Sequence, residues 1–353
     1  METRRQFLQK LTLALGVIAC STRAALPAAG ARYVGVETSA ETGMSKASFF
    51  AASGERTKSV QLDFRAHGFA QHAHLQIVFP RRPGNRFAVI DMRTLEIRAV
   101  VTAPEDRHFY GHGAFTVDGQ HLLVTENNLA TLGGSIGIYE VGETIRRVGQ
   151  RDLPRPGPHE LIRARDSDRF LVALGGLETH PDYGRTPLNL DSFRSEIVVF
   201  DFATGTMDGL GVWNGSEGVS LRHLAEDDQG RVYVGGQSQD RAAVGNANVL
   251  WCVTGDAIEA VEIGADLGSY VSSVAASGSQ AVVTSKQTGL VVTIDGHDLV
   301  SVSVSGIDGA SAVGLSANVR AVSGFNTLWI NGKNVAALTA HEFDNHGALI
   351  ALE

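Results

Sequence analysis

A chain of 353 residues with 40 glycines has room for two or three average domains or one large closed all-β unit. Glycine at about 11%, against a usual 7% or so, and turn signals every 8 to 12 residues favour the second. The formal charge of −8 becomes −11 without residues 1–29, which hold four basic residues and one acidic, and this excludes nucleic acid as a partner, since phosphate binding needs clustered Lys and Arg.

The chain opens on Thr3-Arg4-Arg5-Gln6-Phe7-Leu8, a twin-arginine export motif, followed by the apolar run Leu11 to Cys20 and then small residues. That run is too short to stay in a bilayer as a permanent span. Residues 1–31 are therefore expected to be a signal segment, and residues 32–353 one exported domain in the periplasm. Two processing routes are open. Val17-Ile18-Ala19-Cys20 resembles a lipoprotein box and would leave a lipid anchor at Cys20, whereas Ala29-Gly30-Ala31 suits an ordinary signal peptidase and a soluble monomer. The second is favoured. Twin-arginine export moves folded proteins, which fits either a cofactor inserted inside the cell or a chain that folds too fast to stay threadable. Cys252, in the apolar run Val249 to Val253, reads as a small buried hydrophobe rather than half of a disulfide.

Short apolar strands follow in groups of four, and no stretch after residue 30 keeps helical periodicity. The first group runs from His67 to Val101 (LQIVF, RFAVID, LEIRAVV) and the second from His112 to Leu153 (HLLVTE, SIGIYEV, TIRRVGQ). The third spans His159 to Trp213 and the fourth Val219 to Ile263, with His223 near its start. The fifth and sixth begin near Ser273 and Ser311. Successive starts lie 45, 47, 64, 50, 38 and 35 residues apart, ending at His346. A period in the forties carried by strands predicts a β-propeller with one four-stranded sheet per blade. Residues 32–64 hold three further strands and His346 to Leu352 a fourth, so the C-terminal strand is expected to lie innermost and complete a seventh blade. Closing the ring in this way removes open sheet edges.

Five of the seven groups thus start on a histidine: His67, His112, His159, His223 and His346. If each starts an inner strand, all five face one mouth of the central channel. That mouth would also carry Arg81, Arg82, Glu126 and the long insertion 176–194, with His180, Asp182, Tyr183, Arg185, Asn189 and Asp191. Neutral imidazoles suit copper, zinc, iron and nickel. Glu126 and Glu160 are the candidate carboxylate ligands, and Asn127, Asn128 and Gln237 the groups expected to orient the rings. The competing reading is structural: in WD-type propellers a Gly-His pair before the inner strand knits the blade by hydrogen bonds, and Gly111-His112 sits at such a place. Arg81-Arg82 suit a carboxylate or phosphate ligand, or an ion pair with Asp91 or Glu105.

The segments RRPGN at 81–85, RHFYGHGAF at 107–115, GPHEL at 157–161, GGLETHPDYGRTPLNLD at 175–191 and SLRHLA at 220–225 resemble one exported bacterial family, the domain of unknown function fifteen-thirteen. The resemblance covers essentially the whole mature chain. It implies a seven-bladed propeller encoded near periplasmic iron-uptake components of the imelysin type and haem-containing oxidases, and it assigns no catalytic residue.

No H-E-x-x-H, Walker loop or C-x-x-C-H haem site is present, so the sequence carries no signature of those enzyme classes. Three readings stand: a metal-binding accessory of periplasmic iron uptake, with iron or copper at the histidine-lined mouth; a quinoprotein- or copper-type oxidoreductase; and a protein-interaction scaffold with structural histidines.

Overall fold

Apolar runs such as Ile77–Pro80 and Ile197–Phe200 suit strands covered on both faces, and in the computed structural model the strands that hold them, Leu75–Pro80 and Ser195–Asp201, are buried along almost their whole length. The structure describes residues 31–213, 218–240, 248–255, 257–338 and 341–350. The twin-arginine segment and Cys20 lie outside them. The described strands form seven antiparallel four-stranded sheets, the blades of a β-propeller. Blades 1 to 6 follow chain order from innermost to outermost strand. Blade 7 takes its innermost strand from the C-terminus (His341–Leu349) and its other three from Ala31–Ser39, Ser45–Ala51 and Arg56–Gln61.

Side chains alternate across a strand, so each blade presents one apolar set to either neighbour. In blade 1, Val78 packs toward blade 7 while Ile77 and Phe79 pack toward blade 2. In blade 3, Val172 faces blade 2 while Leu171 and Ala173 face blade 4. Seven apolar clusters result among the described residues, one at each of the seven blade junctions. The junction of blades 6 and 7 is built partly by Phe343 of the C-terminal strand, with Tyr33, Phe50 and Leu328. The outermost strands are wetter: Glu96–Thr102 and Ile145–Asp152 expose most or alternate residues. No helix of the described residues is long and apolar enough to cross a membrane.

Candidate functional site

The innermost strands of blades 1 to 4 are Ala66–His72, Arg107–Phe115, Pro158–Arg163 and Val219–Glu226. The expectation that inner strands open on their histidines is corrected here: His112 and His223 sit well inside their strands, and His346 lies midway along its own. What these positions share is a break in pairing. Register shifts fall between Ala66 and Phe69, Phe109 and Gly113, Pro158 and Glu160, and Leu221 and His223. Another shift between Gly35 and Glu37 lies opposite the segment carrying His346. The innermost strands of blades 5 and 6, which carry no histidine, pair without a shift. A β-bulge re-aims side chains, and here five bulges turn five imidazoles onto the channel axis.

The rings meet. Their close pairs have centroids 4.3 Å (His67–His346), 4.8 Å (His112–His346), 4.9 Å (His159–His223), 5.0 Å (His223–His346), 5.1 Å (His67–His112) and 5.3 Å (His112–His159) apart. Two close approaches make room for this. A Cβ on Gly68 would lie 2.3 Å from the Gly111 carbonyl oxygen, and one on Gly111, where φ is +112°, would lie 2.7 Å from His67 Cδ2. Gly111 therefore serves ring packing.

Hydrogen bonds divide the five rings into roles. Nδ1–H of His159 donates to the Arg222 carbonyl at 3.1 Å, leaving Nε2 with its lone pair. His223 is engaged at both nitrogens: Nδ1–H donates to Glu160 Oε2 at 3.2 Å and Nε2 shares a hydrogen bond of 3.0 Å with the Tyr270 hydroxyl. His112 Nδ1 faces Glu160 Oε1 at 3.5 Å, and its Nε2 is buried with no hydrogen-bond partner. His67 Nδ1 lies 3.7 Å from Asp344 Oδ1, too far for a hydrogen bond. It and His346 Nε2 are likewise buried and unpartnered. Buried polar atoms are normally paired, so three orphaned nitrogens in one cluster mark a place made for something else.

One nitrogen from each of His67, His112 and His159 lies within 4.8 Å of the other two. Metal–imidazole bonds of about 2.0–2.1 Å at a tetrahedral centre need nitrogens about 3.4 Å apart, so the trio would contract by roughly an ångström around an ion. The protonation states suit this. Burial pushes His112 down to about 3 against the pull of Glu160, lowers His67 despite Asp344, and drives His159 and His346 well below the usual range. Near neutral pH these four rings are uncharged, which is the ligating form. Burial also raises the Glu160 carboxyl, but His112, His223 and the Leu224 N–H at 2.9 Å more than offset this, so it stays ionised.

The remaining expected residues are dispersed. Glu126 is not beside the rings: it accepts from Tyr139 at 2.8 Å and pairs with Arg147 at 2.8 Å inside blade 2. Asn127 donates to the Thr179 carbonyl, Asn128 caps the turn at Ala130 and Thr131, and Gln237 accepts from Arg222. None of the three bonds an imidazole. Asn189 staples the long insertion by bonds to Glu178 N and Gly176 O, and His180 Nδ1 accepts from Asp182 N at 3.2 Å, which leaves Asp182 exposed. Arg81 pairs with Asp344 at 3.2 Å, and Asp91 pairs with Arg93, so the expected Arg81 partners are replaced by one 263 residues away. Arg82 stacks on Tyr110 at 4.7 Å and donates to its hydroxyl at 2.8 Å.

Two pockets touch the histidines. One, of about 180 Å³, is lined by His67, His159, Arg81, Arg82, Arg185 and Arg222. A second, of about 290 Å³, has His112 and Glu160 together with Phe69, Phe115 and Arg163. Arg222, Asp344, Tyr110 and Tyr270 are the site residues that sequence reasoning missed. The one signal for them was adjacency, since Arg222 precedes His223 and Asp344 lies two residues before His346.

Residues 60–350 match the family described as "Protein of unknown function (DUF1513)". No curated protein matches the chain. Among solved structures, hydrazine synthase of Kuenenia stuttgartiensis is similar with a TM-score of 0.63 at 14% identity, over 89% of this chain and 98% of that one. A protein of unknown function from Bacteroides caccae gives 0.50 at 13% identity, and a chain of a nidogen/laminin complex 0.53 at 11%. Each of the latter two covers 79% of this chain and 94% of its own. Likeness at such identities shows the fold alone. The family match takes in blades 1 to 6 and the C-terminal strand that closes blade 7, and with it all five histidines, so the chain belongs to the DUF1513 family.

Proposed function

We propose that this propeller is an exported metal-binding protein that holds one transition-metal ion on His67, His112 and His159, as an accessory of periplasmic iron uptake. The observation that carries the reading is the convergence of three buried imidazole nitrogens from three blades within 4.8 Å, with unpartnered nitrogens on His67 and His112. His346 lies against the same rings and offers a fourth nitrogen. His223 and Glu160 orient the set, and outer groups of this kind fix the tautomer and raise ligand basicity. An all-imidazole set suits iron or copper as well as zinc and nickel. The iron-uptake setting comes from the company kept by the family that the sequence resembles.

His112→Ala and His159→Ala test the reading directly. A metal site predicts that each variant loses tight metal binding while its circular dichroism spectrum is retained. If both variants bind metal like the parent, the ion is not held by these rings. Unfolding of both, with no metal bound by the parent, assigns the histidines to a structural role and the protein to the scaffold class.

A further inference from the structure

The chamber beside the histidines has a composition at odds with the rest of the molecule. The chain as a whole is acidic, yet four arginines surround one pocket of about 180 Å³. This is an order of magnitude more space than a single water requires. Arg82 comes from the turn between the second and third strands of blade 1, Arg185 from the long insertion of blade 3, and Arg222 from the innermost strand of blade 4. Three separate elements thus deliver cations to one place.

Their charges are not balanced within the protein. Asp344 accepts Arg81 at 3.2 Å, lies 3.6 Å from Arg65 and also acts on Arg185, so one carboxylate is shared among three guanidiniums. Among the described residues no carboxylate forms an ion pair with Arg82, Arg185 or Arg222. Arg222 is 4% exposed, its Nε is buried without a partner, and its single hydrogen bond of note is to the neutral Gln237 amide at 3.1 Å. Burying a guanidinium without a charged partner costs several kcal/mol, a cost that a bound anion would offset. The crowding is felt by the side chains themselves: Arg81, burial and Arg82 lower Arg185, and burial with Arg82 brings Arg222 down to about 10. Tyr110, Gln237 and Tyr270 supply neutral hydrogen-bonding groups around the same space.

We propose that this chamber binds a small polyvalent oxyanion, a di- or tricarboxylate or a phosphate, clamped by Arg82, Arg185 and Arg222. Guanidinium forks match planar carboxylates and phosphate oxygens in bidentate fashion, and three guanidiniums from three elements, whose hydrogen bonds go to the neutral groups of Tyr110, Thr179 and Gln237, call for more than one negative charge. The site stands on the arginines and does not require a metal beside it. A ligand held there would lie against His67 and His159, so where the rings carry an ion the anion would be its neighbour.

Isothermal titration of the mature protein with citrate, succinate, phosphate and acetate tests this. The protein is first stripped of metal with 1,10-phenanthroline, a neutral chelator, because a polycarboxylate chelator would compete for the proposed site. At least one of the three polyvalent anions is expected to bind with one-to-one stoichiometry, more tightly than acetate, and more weakly as salt rises. Citrate or succinate binding over phosphate identifies a carboxylate ligand, and the reverse a phosphate. Arg222→Gln should weaken binding about thirty-fold or more; Arg82→Gln, in a more exposed turn, gives the same direction if the buried variant does not fold. No binding of any of the three, or unchanged affinity in the folded variants, overturns the inference. Because the titration is done without metal, its failure leaves the metal reading intact, and metal binding can fail without touching this result.

Discussion

Glu160→Gln removes one charge and almost no volume from the hub of the histidine layer. In the parent, Oε2 accepts from His223 Nδ1 at 3.2 Å and Leu224 N at 2.9 Å, while Oε1 faces His112 Nδ1 at 3.5 Å. The ionised carboxylate favours a proton on Nδ1 of both rings, so the His112 lone pair is left on Nε2. A glutamine offers one oxygen and one N–H₂. With its oxygen kept on the His223 and Leu224 side, the amide hydrogens point at His112 Nδ1, and the ring answers by moving its proton to Nε2, into the cluster. Loss of such an orienting group lowers metal affinity by about 10- to 100-fold, which is roughly 1.4–2.7 kcal/mol. Exchanging charged for neutral hydrogen bonds at this depth costs about 1–3 kcal/mol of stability. Competition for Zn²⁺ against a chromophoric chelator reads the first quantity and urea unfolding the second. A folded variant whose metal affinity stays within about threefold of the parent would refute the orienting role, since that is well under the tenfold floor.

Two other outcomes are specific. Glu126→Gln makes the same chemical change inside blade 2, where the partners are Tyr139 and Arg147; it should destabilise by about 1–3 kcal/mol in urea unfolding with metal affinity unchanged, and a matching loss of metal would place Glu126 back at the site. Acid should also weaken the metal-free fold. Burial, with Arg82 and His180 adding, brings His108 from an ordinary 6.5 down to about 4. The unfolded chain therefore binds this proton first, and the stability is complete above pH 6.5 and is lost as pH falls toward 4. Its share of the loss is roughly 3 kcal/mol, so His108→Gln should make the acid limb of urea midpoints measured between pH 7.5 and 4.5 shallower. His67, His112, His159 and His346 are lowered too and keep their own share of the limb, so the variant becomes shallower without becoming flat; a limb as steep as the parent's would show that His108 contributes nothing.

The ring of blades and its closure were legible because both rest on local pattern: alternating apolar strands, turn glycines, and three strands at one end with one at the other. The converging histidines were legible as one on the innermost strand of each of five blades, although their places along those strands differ. The surrounding site was hidden by the bulges. In an unbroken strand Arg222 and His223 would point to opposite faces, as would His159 and Glu160. The shifts at Leu221/His223 and Pro158/Glu160 bring both members of each pair to the channel. Glu126 misled for the opposite reason: its strand pairs regularly with Gly134–Val141, and alternation carries the side chain into blade 2, to Arg147. Asp344 meets Arg81 across 263 residues, a contact that exists only once the C-terminal strand has closed the ring.

Metal content of the tag-free protein, purified from its own host and measured by plasma mass spectrometry, is the sharpest test of the metal site. One equivalent of a single transition metal, lost together in His112→Ala and His159→Ala proteins that keep their fold, is the predicted result. Substoichiometric mixed metals that a chelator removes with no change in thermal stability would contradict it.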